Sequence, residues 1–319
     1  MATKLKHLTQ AVQALAIAAL AWFLSPIKGY ADRYLVLYAD TAFQTQYRQE
    51  FIAGYEQHIS LLRETVVTEA VIKGNTAVFL VASSGGASAV TRGINGLIPA
   101  RSDALTQESA TLQEWHDLVR KTGFNVFASQ GNQRQIMQMT SMGVLNRKID
   151  NQIITTLDSG TVTIGAMGTA PNISLFQNGR VKLSNASVPW DSNITFLCQP
   201  SMLAYLEQAP EFTKAEYVDI KPYAGTNPSW RDKPMAYRWR NCLVVEHPGL
   251  PGKGTSSEHS YLYHKNSVGQ ACDTAGLKTP VGYNEEQDYS WARASINMGP
   301  ALLQNAGVIV ITHDGSAYA

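Results

Sequence analysis

The sequence predicts an α+β fold, one long helix set among strands with no regular βαβ alternation. Three observations carry this. Residues 132–158 place Ile136, Met139, Met142, Leu145, Ile149, Ile153 and Leu157 at spacings of three and four, the stripe of an amphipathic helix. Residues 288–299 alternate instead, with Ala292, Ala294, Ile296 and Met298 on one side and Tyr289, Trp291, Arg293 and Ser295 on the other. Short runs rich in β-branched residues recur elsewhere, at 65–72, 76–83, 194–198 and 308–311.

In chain order, residues 43–62 read as a first helix. Phe43, Tyr47, Phe51 and Tyr55 recur every four residues beside Ile52 and Ile59, and Thr41 offers a cap. Residues 64–128 then read as extended. Strand candidates at 65–72 and 76–83 lead into the flexible turn 83–88, and from Thr111 the chain is extended again through Trp115, Leu118, Val119, Phe124 and Phe127. This excursion shows few signs of a closed core of its own, so it must pack on the main domain or on another subunit. The long helix follows, slightly weakened by Gly143 and stopped near Gly160. Residues 161–319 read as strands and loops around one short helix, which Pro200 and Ser201 open and Leu203, Tyr205 and Leu206 continue. The proline-rich stretch 221–234 is a loop, 242–245 a strand ended by Pro248, and 248–257 a loop. Asn305-Ala306-Gly307 turns into the final apolar strand at 308–311.

At 319 residues the chain can build one large core or two modest domains. Charged residues make up 16% of it, below the usual share of about 25%. Either the free surface is neutral, or copies of the chain cover much of it. A net charge of +1, with no run of like charges, argues against a dense basic face gripping nucleic acid. Cys198, Cys242 and Cys272 form no disulfide framework and fit a reducing compartment.

Residues 1–32 admit two readings. Lys4, Lys6 and His7 precede the apolar run 11–24, and Gly29-Tyr30-Ala31 resembles a cleavage site, as in a secretory signal. The same run also suits an Ala/Leu-rich helix in an N-terminal arm packed on a neighbour. It is short for a membrane span, and no membrane partner is expected. Sequons at Asn172, Asn185 and Asn193 suit a secreted protein but also arise by chance in so Asn- and Ser-rich a chain.

No catalytic residue, cofactor site or metal site is predicted. Residues 249–256, GLPGKGTS, resemble a phosphate loop, but Gly254 stands between Lys253 and Thr255 where that motif has none. His259, His264 and Cys272 match no zinc spacing. Glu285, Glu286 and Asp288 read as a solvated loop cluster.

The order of segments, an arm, a helix, a long extended loop, one long helix, a mixed region and closing strands, resembles the major capsid proteins of tailed bacteriophages, with the Johnson fold of Hong Kong 97 type. Residues 43–66, 144–160 (VLNRKIDNQIITTLDSG), 193–219, 237–252 and 288–314 are each similar to successive elements of that family, with Asp150 placed in the long helix as in many members. The apolar run 11–24 departs from its pattern. The resemblance implies an N-terminal arm at 1–42, a lead-in helix at 43–63 and an extended loop at 64–128 lying across a neighbouring subunit, where Phe79, Leu80 and Trp115 are covered. It further implies a peripheral domain with the spine helix at 129–159, an axial domain at 160–275, and closing peripheral strands at 276–319. The implied function is structural and not enzymatic: self-assembly into the pentamers and hexamers of an icosahedral head. Scaffold, portal and cement proteins are the implied partners, with packaged DNA contacted non-specifically by an inner face that carries local basic residues such as Arg147 and Lys148 while the outer face balances them. The subunit is made in the host cytoplasm and resides in the virion. Two alternatives stand beside this: a secreted or periplasmic β-rich binding or adhesive protein with a signal peptide, and a hydrolase whose site is assembled from distant residues.

Overall fold

The structure, a computed structural model, describes residues 57–71, 73–84, 86–100, 104–128, 132–213, 218–220, 236–274 and 276–318. From Gln57 the chain runs irregularly to a 3-10 turn at Arg63–Thr65 and enters β1 (Val67–Val71). Strands β2 (Thr76–Ser83) and β3 (Ala104–Thr111) pair as a hairpin, followed by β4 (Gln113–Thr122), the short helix α1 (Gly123–Ala128) and the long helix α2 (Gln133–Asp158). Next come β5 (Thr163–Gly165), α3 (Ile173–Asn185), β6 (Ile194–Cys198), α4 (Pro200–Gln208) and the single turn α5 (Pro210–Thr213). Strands β7 (Val218–Ile220), β8 (Ala236–Trp239), β9 (Cys242–Glu246), β10 (Glu258–His264) and β11 (Val268–Asp273) follow. The chain closes with β12 (Val281–Asn284), β13 (Tyr289–Leu302) and β14 (Val308–His313).

Three sheets result. In the five-stranded one, β13 is long enough to pair with β11 and β12 along one edge and β4 along the other, while β1 runs parallel to β11. The seven-stranded sheet has the order β5-β14-β10-β6-β9-β8-β7. The hairpin β2–β3 is a separate two-stranded ribbon.

The long helix is clamped between the two larger sheets. Its Leu145, Ile149, Ile153 and Leu157 meet Ala294, Ile296 and Met298 of β13 on one side and Leu197, Val245, Tyr261 and Val308 of the seven-stranded sheet on the other. Every residue from Val308 to Val310 is therefore buried, because that sheet is covered on both faces: Val308 and Val310 turn to α2, Ile309 and Ile311 to α3 and α4. Phe176 of α3 anchors the second layer against Phe196 and Trp239, with ring centroids 5.2 and 4.7 Å away.

Several expectations need correction. The helix expected over 43–62 does not reach its end: residues 57–62 are irregular, because their backbone amides bond to a side chain instead of to one another, and residues 43–56 lie outside the described residues. Phe124 and Phe127 sit on the helix α1 and not on a strand. The apolar stripe of α2 is right from Leu145 onward but shifts earlier, where Met137 and Ser141 are buried and Met142 is exposed. Buried positions continue backward in steps of four, whereas the apolar residues switch to steps of three and rotate off the row. Helix α3 lies where only strands and loops were expected; Asn172, read as a sequon, is its N-cap, accepting from the Leu175 amide at 3.1 Å. The expected extended segment 64–128 divides, with β1 and β4 inside the five-stranded sheet and only the β2–β3 hairpin standing apart. Strand β14 pairs with β10 and β5, not with β13, while β11 joins the five-stranded sheet.

Candidate functional site

The hairpin β2–β3 is the feature that the rest of the fold does not explain. Alternation along β2 sends Ala77 and Phe79 down onto β11, where Phe79 lies over Gly269 so closely that a Cβ there would come within 2.8 Å of its ring. Together with Ala110 and Ala271 they form a small core of their own at the hairpin root. Val78, Leu80 and Leu105 point the other way and are exposed, Leu80 to 67%. Beyond them the tip carries Val90, Ile94, Leu97 and Ile98, all exposed, around a turn closed by the Gly93 amide on the Leu97 carbonyl at 3.0 Å. An apolar ribbon with unpaired edges is a ready-made contact for another chain. Phe79 and Trp115, expected beneath a neighbour, are instead covered within the chain: Phe79 at the root, and Trp115 under Lys148, whose Nζ stands 3.9 Å from the ring centroid. Arg147 likewise donates to the Gln57 carbonyl at 3.4 Å, so Arg147 and Lys148 are both engaged internally.

The approach to the hairpin is fixed by Asp150. Its fully buried carboxylate accepts from the amides of Leu61 and Leu62 at 2.9 and 3.2 Å, from Ser60 Oγ at 2.6 Å and from Gln57 Nε2. His247 Nε2 stands 3.6 Å away; its Nδ1 accepts from the Gly249 amide, so the Nε2 proton faces the carboxylate. Burial alone would raise the Asp150 carboxyl, but the hydrogen bonds from His247, Leu61, Ser60 and Leu62 together hold it below the ordinary carboxylate value.

A second buried polar cluster has the atom order of a hydrolytic triad. Ser260 Oγ lies 2.9 Å from His313 Nε2, and His313 Nδ1 lies 3.5 Å from Glu258 Oε2. All three residues are buried, and Ser260 Oγ also accepts from the Gln199 amide at 3.3 Å. Ser201 and the Gly254 amide, the latter at 2.7 Å, take up the Glu258 carboxylate. The cluster ties β10, β14 and α4 to the loop 251–257 and leaves no face of the serine open to a substrate. That same Gly254–Glu258 bond fills the phosphate-loop lookalike with an internal carboxylate. Burial, partly opposed by the Glu258 charge, pushes His313 down to about 4. The folded chain thus holds a neutral histidine where the unfolded chain takes up a proton. Stability is complete above the ordinary value of 6.5 and declines as pH falls toward 4. Over that window the loss is about 3 kcal/mol, and His313→Gln should flatten it, read as the urea midpoint between pH 7 and pH 4.5.

The other residues weighed for metal chemistry are dispersed. His259 meets Asp158 at 2.7 Å, His264 meets Asp191 at 3.2 Å, and Cys272 is buried on β11. Among the described residues no group of three or more His, Cys, Asp or Glu is placed to hold a metal ion, and no helix is long and apolar enough to cross a membrane.

Comparison with solved structures defines the class. The chain is similar to the capsid of Ralstonia phage GP4, with a TM-score of 0.63 at 10% identity over 86% of this chain and 96% of that one. A structure from Mycobacterium phage Che8 gives 0.62 at 12% identity over 85% and 97%, and the capsid of a native GTA particle gives 0.58 at 12% identity over 86% and 97%. These likenesses establish a phage-capsid fold. A family model described as phage capsid protein matches residues 39–315, and the chain belongs to that family as a major capsid protein of the virion. This membership overturns the secreted binding-protein alternative. No curated protein matches the sequence.

Proposed function

We propose that the chain is the repeating unit of an icosahedral head, closing as hexamers and pentamers around double-stranded DNA and acting by assembly without catalysis. The observation that carries this reading is the apolar ribbon β2–β3, rooted by Ala77, Phe79 and Ala110 and otherwise uncovered. Laid across the next subunit, it hides its apolar face and satisfies its edges, and closed symmetry makes many such contacts cooperative. Within 64–128 the hairpin β2–β3 then acts as the extended loop, the five-stranded sheet with α2 as the peripheral region and the seven-stranded sheet as the axial one, with residues 1–42 as an arm. Synthesis in the host cytoplasm suits the three free, buried cysteines. Scaffold, portal and cement proteins are the partners this role calls for, and DNA is met without sequence preference. Sedimentation and negative-stain microscopy of the purified chain, alone and with lysate from producing cells, test the reading. Closed shells or rings of five and six are expected; a monomer under every condition would overturn it.

A further inference from the structure

A single pair of complementary patches on identical subunits produces a closed ring or an open helix. A shell that closes in two directions needs at least one contact more. Resting on the reading of the chain as a shell subunit, we propose that α1, the turn between β12 and β13, and Arg120 form a second self-contact surface, occupied in the assembled particle by another copy of this chain.

Three observations at this end of the five-stranded sheet converge. First, α1 presents two large aromatics to solvent, Phe124 at 73% and Phe127 at 88% exposure, and Tyr283 of β12 adds a third at 46%. Spaced three apart, Phe124 and Phe127 lie on neighbouring positions of one helical turn. An aromatic pair so exposed is the composition of an interface anchor and not of a solvated surface.

Second, the patch is built and not frayed. The Gly123 amide donates to the Asp288 carbonyl at 3.0 Å, Thr122 pairs with Tyr289 in the sheet, and Tyr283 OH donates to the Asp288 carboxylate. Gly123 lets the Asp288 carboxylate pack directly on the helix start, where a Cβ would have to displace it. The first residue of the helix is thereby joined to the β12–β13 turn.

Third, the patch carries both signs of charge: Arg134 reaches Tyr283 from within the chain, while the outer charged groups form no ion pair with one another among the described residues. Glu285 and Glu286 are exposed in the turn, and neither forms an ion pair among the described residues. Among the described residues the exposed Arg120 side chain meets the Tyr289 ring, 5.1 Å from its centroid. A surface that carries acid and a guanidinium together is complementary to a copy of itself across a two-fold axis, which suits a contact that joins one ring of subunits to the next. The stretch of β4 from Gln113 to Val119 separates this patch from the hairpin root, about 20 Å along an extended strand. One subunit can therefore hold different neighbours at the two ends simultaneously.

The test places the photo-crosslinking residue p-benzoylphenylalanine at position 127, and separately at 124, in the full chain. Closed particles are recovered from producing cells and irradiated. Covalent dimers on a denaturing gel, with the crosslinked peptide pairing α1 with a second copy, are the expected result. Closed particles that yield only monomer-mass products, including crosslinks to residues 1–56 of the same chain, would overturn it. As a second measurement, the combined variant Phe124→Ser, Phe127→Ser, Arg120→Glu should lower closed-particle yield at least tenfold while leaving ring-sized oligomers held by the hairpin. An unchanged yield of closed particles would count against the contact alone; no particles or rings from the unsubstituted chain would remove the shell reading and this contact with it.

Discussion

Replacing Asp150 with alanine lowers stability by about 3–5 kcal/mol, on the order of a 10 °C fall in Tm for a chain of this size. The carboxylate is the common acceptor for the amides of Leu61 and Leu62 and for the side chains of Ser60 and Gln57. Alanine leaves these donors facing apolar surroundings, among them Leu62, which is fully buried. It also strips His247 Nε2 of the charge it faces. Asparagine, which retains one acceptor oxygen but turns an NH2 toward donors, should cost roughly half as much. Because the hydrogen bonds depress the carboxyl in the fold, the stability it contributes is present above the ordinary carboxylate value and lost as pH falls below it. Asp150→Asn should therefore remove the loss at the acid extreme and leave the His313 window between 6.5 and about 4 intact. Thermal melts across pH separate the two; an Asp150→Ala chain as stable as the parent would refute the anchoring role.

Removing residues 82–105 and joining Val81 to Thr106, which face each other across the hairpin, through an Asn-Gly turn should leave the fold standing and abolish closed shells. The truncation keeps Ala77, Phe79 and Ala110, the residues that seal the root onto Ala271, so the small core beneath the hairpin survives. It deletes Val90, Ile94, Leu97, Ile98 and Leu105, whose exposure has no use in an isolated subunit. Expected are a Tm close to the parent's and a soluble species that sediments as monomer or small oligomer, with closed particles down at least tenfold by microscopy. Normal shells at parental yield would sink the assignment of the hairpin to assembly.

Much of this fold is legible where a residue's role is decided by its immediate neighbours in sequence. The alternation of β13 places Ala292, Ala294, Ile296 and Met298 inward, and all four are buried. The row from Leu145 to Leu157 does the same for the second half of α2. What hides from the sequence is structure whose reasons lie far along the chain. Helix α3 contains Gly179 and ends on asparagine, a composition of low helical propensity. Gly179 is there because Leu262 of β10 passes within 3.0 Å of where its Cβ would be, so packing and not propensity sets the helix. Strand β10 is equally opaque: Glu258, Ser260 and His264 are polar, yet all are buried in partnerships with residues outside the strand, among them His313 and Asp191. For the candidate site, the excursion of the hairpin could be read directly. The anchoring of 57–62 by Asp150 could not, since the partners stand some 90 residues apart.

The parallel pairing of β1 with β11 also governs when the subunit becomes able to act. Val67 sits beside Gly269, about 200 residues later, and at about 5–20 residues per second a ribosome needs about 10–40 s to cover that interval. Throughout it the first strand and the ribbon that follows have been made but lack the surface that roots them. A nascent subunit therefore cannot present its ribbon correctly to a neighbour until β11 has been translated. The order of strands in the sheet acts as a timer, holding back association until the surface that roots the ribbon exists.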